Sequence, residues 1–393
     1  MLFLDLQLIR KRAPMAYPDR IELIKKIEGQ RGSHVICYLT SVRPGVGAHM
    51  GDDAVRAMFD HLLLMPERPV EKIDVFICSN GGNGVVPWRV ISLLREFAKQ
   101  VGVLIPYRAY SAATMLALGA DEIVMHPFAE MGPIDPTVTN DYNPVDPHTQ
   151  RPIGISVEDV KAYIAFIKDT VGIRHEDELV RAVEILAQKV HPLALGNVER
   201  FISQSRMIAR KILLTHMKDE NDRHKIDETI ETLASKLYFH GHPINRREAK
   251  DELGLKVVEA PPALETAMWE LYLDFERDLQ NTQLFDPMGE IYRQIPDPAP
   301  APPPGAPPPL VPVGCFARMT DKLAVVESAR RSSVFERTLR FVVVGHGAQG
   351  EPLIRSETLA QGWGHSTAPA PAPAAPQTAP AQRAVPSRRK AAE

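Results

Sequence analysis

The sequence predicts an α/β fold in which βαβ units stack on a parallel sheet and a helical region follows. Three observations carry that expectation. Apolar runs at 73–79, 101–106 and 122–126 have the length of buried strands, and glycine turns or polar residues bound them. Between them lie amphipathic segments, one starting at Val85 and one running from Ser111 to Leu118 and stopped by Gly119. From Asp159 to Leu279 the apolar residues recur mostly at helical spacing. Strands that alternate with helices predict parallel pairing, because a parallel connection needs a crossover element. In such sheets ligands collect at the carboxyl ends of the strands, where Gly81, Gly82 and Ser111 fall.

The chain of 393 residues is 44% hydrophobic, enough for one large globular body with appendages. A formal net charge of −3 provides no overall basic field, so a nucleic-acid partner is not expected. Cys37, Cys78 and Cys315 are odd in number, and two lie in predicted buried strands, which argues against a disulfide framework and for a cytoplasmic setting. Residues 1–9 are apolar but carry Asp5, with no basic lead and no small-residue cleavage site, so no signal peptide is expected. No run of eighteen apolar residues occurs, so no spanning helix is expected and association with a membrane surface stays open.

Taken in order, residues 1–30 form an N-terminal segment with Ile21, Leu23, Ile24 and Ile27 at helical spacing. A strand is expected over 33–39, then a Pro- and Gly-punctuated loop over 42–47. Asp52 or Asp53 caps the next helix, whose apolar face is Val55, Met58, Phe59, Leu62 and Leu63. The strand at 73 ends in Asn80-Gly81-Gly82. Glycines there let the backbone approach a developing anion closely and adopt positive φ, although a tight strand-to-helix turn uses them equally well. The spacing fits neither the dinucleotide fingerprint nor a P-loop, and no lysine follows, so phosphate binding is a minor alternative.

Ser111 stands where a strand turns into a helix. There its hydroxyl gains from free N–H groups as a nucleophile, and it serves just as well as an ordinary N-cap. The glycine turn one βα unit earlier favours the nucleophile, since the N–H groups of Gly82 and Ala112 can converge on one oxyanion.

Three segments, Ser79-Asn-Gly-Gly82, Ala109-Tyr-Ser-Ala-Ala-Thr-Met115 and Met131-Gly-Pro-Ile-Asp-Pro136, resemble the Clp protease and crotonase superfamily and its signal peptide peptidase A branch. Within it the chain resembles the serine dehydrogenase proteinase family, over about residues 30–290, including Leu193-Ala-Leu-Gly196 and residues 240–244. The resemblance implies a Clp/crotonase-like catalytic domain over 31–290 with a helical C-terminal part. It implies Ser111 as acyl-forming nucleophile, Gly82 and Ala112 as oxyanion donors, Asn80 and Gly81 beside the substrate, and a homo-oligomer acting on peptides without a cofactor. Asn80 departs from the family pattern, which usually has proline there.

The general base is the open position. In Clp proteases a histidine follows the serine helix, and that position falls near Ile134, whereas His126 comes earlier. In the signal peptide peptidase A type a lysine follows some fifty residues after the serine, which selects Lys161 for a Ser–Lys dyad, with Lys168, His126 and Asp135 in reserve. A lysine acts as a base only where burial or positive neighbours lower its pKa, and its usual place is an exposed face. Ser156 and Asp159 look like a capping box opening the helix that carries it.

In the helical region, Leu179, Val183 and Leu186, then Phe201, Met207, Ile208, Ile212 and Leu213, then Ile226, Ile230, Leu233 and Leu237 read as core stripes. His191, His240 and His242 lack zinc-site spacing and are expected in turns or packing, with no metal. Arg200, Arg206, Arg210 and Lys211 read as a solvated basic face. Residues 291–312 form a Pro-rich linker, 313–365 a small unit with strands at 322–326 and 339–344, and 366–393 a disordered tail. The expected activity is that of a serine peptidase. A crotonase-like thioester hydrolase or isomerase, which uses the same paired N–H groups, and a non-catalytic scaffold are the alternatives.

Overall fold

The computed structural model describes residues 15, 17–135, 137, 138, 141–147, 152–236, 241–294 and 310–367. Helix α1 (Tyr17–Arg31) leads into β1 (His34–Thr40), α2 (Ala54–Leu62), β2 (Val70–Cys78), α3 (Val86–Phe97) and β3 (Ala98–Ile105). The short β4 (Arg108–Ala109) precedes α4 (Ala112–Ala117), β5 (Glu122–Met125) and β6 (Glu130–Met131). Beyond them come β7 (Thr137–Val138), β8 (Ile155–Ser156), α5 (Val157–Ala165), α6 (Glu176–Ala187), α7 (Pro192–Leu213) and α8 (Asp222–Glu231). The chain then forms β9 (Ile244–Asn245), α9 (Arg246–Asp251), β10 (Val257–Val258), α10 (Pro262–Asp278) and α11 (Pro287–Gln294), and ends in β11 (Phe316–Ser328), β12 (Arg331–His346) and β13 (Pro352–Thr367).

Among the described residues eight strands form one sheet in the order β10-β5-β3-β2-β1-β11-β12-β13. The first five pair in parallel, each joined to its neighbour by a crossover, and the last three pair antiparallel. This is the α/β architecture, βαβ units on a parallel sheet, that the sequence predicts. The carboxyl-terminal parts of β1 to β3 read as apolar runs because both faces of the sheet are covered there. Ile36, Val75 and Val103 pack on one face against Met58, Val90, Leu94 and Leu116, while Val35, Cys37, Phe76 and Leu104 pack on the other against Ile24, Ile27, Leu264, Met268 and Phe275.

Cys37 and Cys78 are free and buried in β1 and β2, and their thiols are pushed up by that burial, Cys78 to about 12. A charge cluster ties the layers together. Buried Arg20 of α1 donates to Asp274 of α10 at 2.6 Å and to Glu327 of β11 at 2.7 Å. Three elements far apart in sequence therefore share one desolvated ion network, whose members cannot be removed singly without leaving a buried charge.

The C-terminal strands are longer than the two short runs visible in the sequence, and a third strand accompanies them. β11 pairs antiparallel with β1 from Ile36↔Ser328 to Thr40↔Ala324, so these strands continue the main sheet. The third, β13, carries polar residues such as Arg355, Ser356 and Thr358 exposed to water, which is why no apolar run marks it. In α6 only Ala182 is buried, and Val183 is exposed where a core stripe was expected. Phe201 and Met207 of α7 are also exposed, whereas Ile208, Ile212, Leu213, Ile226, Ile230 and Leu233 are core. Leu237, His240, the side chain of Ser156, residues 295–309 and residues 368–393 lie outside the described residues.

Candidate active site

The three sequence segments meet at the carboxyl ends of β2 and β3. Ser79, fully buried just after β2, shares a 2.7 Å hydrogen bond with Thr40 at the end of β1, and its hydroxyl accepts the N–H of Gly81 at 3.0 Å. Its backbone bridges to Ala109, with Tyr110 N–H donating to Ser79 O at 3.0 Å. Two adjacent strand ends are thereby pinned side by side.

Both glycines are required by close approach. At Gly81, φ +94°, an added Cβ would lie 2.6 Å from Tyr110 O and 2.8 Å from Ser111 Cβ. At Gly82, φ +154°, it would lie 2.4 Å from Met50 N. Met50 clamps the bend from the other side: its N–H donates to Gly81 O at 2.8 Å and its carbonyl accepts from Asn83 at 3.0 Å. Gly81 N–H is spent on Ser79, while Gly82 N–H donates to no backbone carbonyl among the described residues. Ala112 opens α4, so it has no residue four back within that helix to bond.

Ser111 has φ 53° and ψ −116°, a conformation that costs an L-residue on the order of 1–3 kcal/mol. Its hydroxyl does not cap α4 and forms no hydrogen bond among the described residues, so the ordinary N-cap role is not the one it plays. Neighbours hold the strained turn in place. Thr114 donates to Ala109 O at 2.6 Å or Gly132 O at 2.8 Å and accepts from Gly132 N–H at 3.2 Å. A Cβ on Gly132 would meet the Tyr110 ring at 2.8 Å, and Tyr110 donates to Glu130 at 2.7 Å. The Met131-Gly-Pro-Ile-Asp segment is thus the buttress of the serine turn.

Ser111, Asn80 and Gly82 line one cavity of about 460 Å³. Val85, Met115 and Ile134 form apolar wall, and the roof is one face of α7: Phe201, Gln204, Ser205 and Ile208, at helical spacing. Helix α7 is tied down within this roof by Ser205 donating to Ile134 O at 2.9 Å, and beyond the helix by His216 against Leu118 O at 2.9 Å. Ala112 is buried directly behind Ser111, and Gly81 packs against it, with its added Cβ position 3.0 Å from Ala112 N.

The base candidates are placed elsewhere. Lys161 is exposed on α5 and Lys168 is exposed on the π-helical turn Phe166–Thr170; neither lines the cavity. His126 follows β5 and stacks on Trp269 at 5.0 Å, and burial lowers its pKa. Asp135 is buried next to Ile134 without lining the cavity. His49, which the sequence reading passed over, is the single titratable side chain among the described residues lining this cavity. It lies in an irregular loop with no periodic signal, next to the Met50 clamp. Of the α7 face, apolar periodicity assigns Phe201 and Ile208 to the core and passes over Gln204 and Ser205, which are polar.

Among the described residues no group of three or more histidine, cysteine, aspartate or glutamate side chains could hold a metal. His191 accepts from Leu193 N–H at 3.2 Å as the N-cap of α7, and His242 pairs with Glu248 at 2.8 Å, the local roles expected of them.

Comparison with known proteins agrees with the resemblance read from the three motifs. Residues 1–146 match the family described as ClpP-like SDH-type serine proteinase, which supports a serine peptidase at the level of the family. Uncharacterized protein MJ1495 of Methanocaldococcus jannaschii is 26% identical over 279 residues, covering 69% of this chain and 83% of that protein. Uncharacterized protein MJ0137 of the same organism is 26% identical over 200 residues, covering 51% of this chain and 58% of that protein. Among solved structures, a mutant of the 1510-N membrane-bound stomatin-specific protease aligns over 58% of this chain and 98% of its own, at 14% identity and a TM-score of 0.24.

Proposed function

We propose that the chain is a serine peptidase in which Ser111 is the nucleophile and the N–H groups of Gly82 and Ala112 hold the oxyanion. In this reading Ser111 Oγ bonds to the scissile carbonyl carbon as its proton passes to a base, and the carbonyl oxygen becomes an anion at the two N–H groups. The C–N bond then breaks, the amine takes the proton, and water releases the acyl group. The observation that carries the reading is the strained, uncapped Ser111 opening into the cavity shared with Gly82. A structural N-cap has no need of left-handed backbone, and the strain is sustained by Thr114 and Gly132 around it.

A Ser–Lys dyad with Lys161 is the arrangement the resemblance implies, and it requires α5 to bring that exposed side chain to the cavity. His49 is the rival base because it already lines the cavity. Proteolysis of casein by Ser111→Ala, Lys161→Ala and His49→Ala separates the cases: loss in the first supports the nucleophile, and loss in one of the others names the base. Full activity in Ser111→Ala removes the whole reading. The substrate is a peptide or protein, no cofactor takes part, and the chain works as a homo-oligomer in the cytoplasm. Sedimentation velocity showing only a monomer at micromolar concentration would remove the oligomer. Among the described residues no helix is long and apolar enough to cross a membrane.

A further inference from the structure

A second cavity of about 300 Å³ adjoins the first, and the two share His49 in their walls. Strands β11, β12 and β13 build its far side through Leu323, Phe335, Arg337 and Trp363, whereas residues 1–146 supply Tyr38 and Asp53. The C-terminal strands therefore add a compartment to a site whose chemistry belongs to the N-terminal part of the chain.

The hydrogen-bonding groups of this compartment are unevenly partnered. Arg337 is half-buried, its Nε is shielded from water without a hydrogen-bond partner, and it forms no ion pair within 4 Å among the described residues. Its cross-strand neighbour Asp321 accepts from Arg43 through Oδ1 at 2.8 Å, while Asp321 Oδ2 is buried without a hydrogen-bond partner, so Arg337 feels that carboxylate's charge but does not bond it. The carboxylate that lines the cavity, Asp53, is engaged by the Trp363 indole N–H at 2.7 Å. The Tyr38 hydroxyl, on a side chain only 1% exposed, lies against the Gly51 backbone without a well-formed hydrogen bond. A planar guanidinium with an open fork and a buried hydroxyl donor together match a carboxylate.

We infer that this second cavity is a carboxylate subsite of the peptidase cleft, in which Arg337 receives an acidic side chain or a chain-terminal carboxylate of the peptide bound across His49 from Ser111. The inference rests on the peptidase reading for the identity of the ligand as a peptide, while the cavity and its unpaired cation stand apart from it.

The test uses the full-length Ser111→Ala protein, so that nothing is turned over, and isothermal titration with three peptides of equal length. One is blocked at both ends and carries glutamate, one is its glutamine counterpart, and one is neutral in its side chains with a free carboxyl terminus. At least one acid binds tenfold or more tightly than the neutral peptide, and which one does so tells side-chain from terminal carboxylate. Arg337→Gln erases the preference, and Arg337→Lys, which keeps the charge, retains part of it. Equal binding of all three peptides, including no binding by any, overturns the subsite, as does an undiminished preference in a folded Arg337→Gln protein. Failure of the peptidase reading has a separate signature: wild-type protein unlabelled at Ser111 by a fluorophosphonate while the acid preference persists.

Discussion

Ser111 concentrates the tension between stability and function in one backbone angle. Glycine adopts φ 53° without the Cβ penalty, so Ser111→Gly is expected to raise unfolding free energy by about 1 kcal/mol while abolishing activity. Urea denaturation checks it, and Ser111→Ala, which keeps the Cβ, should show no such gain. An equal or lower stability in Ser111→Gly means the angle is not strained. At this scale the serine and the diglycine were legible because their residue types are unusual where a strand ends. His49 and Arg337 were not, since an isolated histidine in a loop and an arginine in a strand carry no pattern until tertiary contacts assemble their surroundings.

Elements are held to one another by buried polar contacts that apolar periodicity does not report. His61 of α2, fully buried, lies 2.9 Å from Ser328 Oγ and 3.1 Å from Ser333 Oγ, and His365 of β13 reaches the same Ser333 at 3.0 Å. Burial, then the positive charge of Arg331, pushes its pKa down to about 3, with Asp60 opposing. The unfolded chain takes up the proton near pH 6.5 and the folded chain does not, so stability is full above that pH and is lost as pH falls toward 3. Between pH 7 and pH 5 the loss from this group is about 2 kcal/mol. Chemical denaturation at the two pH values measures it, and His61→Gln should flatten the difference; an unchanged pH dependence assigns the effect to other groups. Helix α7 shows the complementary limit: its helical spacing was legible, but one of its faces serves as the roof of a cavity, and hydrophobic spacing alone does not tell a roof from a core.

For the whole molecule, the parallel half of the sheet was readable because strands buried on both faces leave nearly continuous apolar runs, as in Val75 to Cys78. The antiparallel half was only partly readable, because β13 exposes most of its side chains and because no local signal tells that β11 pairs with a strand nearly three hundred residues earlier. That pairing makes a prediction. A chain ending at residue 309 leaves β1 as an open sheet edge and strips Val325, Val326 and Glu327 from the core and from buried Arg20. It should give aggregated protein or no cooperative thermal transition, whereas calorimetry showing a sharp transition near that of the full chain would mean the C-terminal strands are dispensable to the fold.

The most direct measurement of the central claim is fluorophosphonate labelling of the intact protein, read by mass spectrometry of the modified peptide. The predicted result is one adduct per chain on Ser111, absent in Ser111→Ala and strongly slowed in Gly82→Ala, whose added Cβ would strike Met50 and shift the N–H proposed to hold the oxyanion. Labelling on another residue, or no labelling of folded wild-type protein, would contradict a nucleophile at this turn.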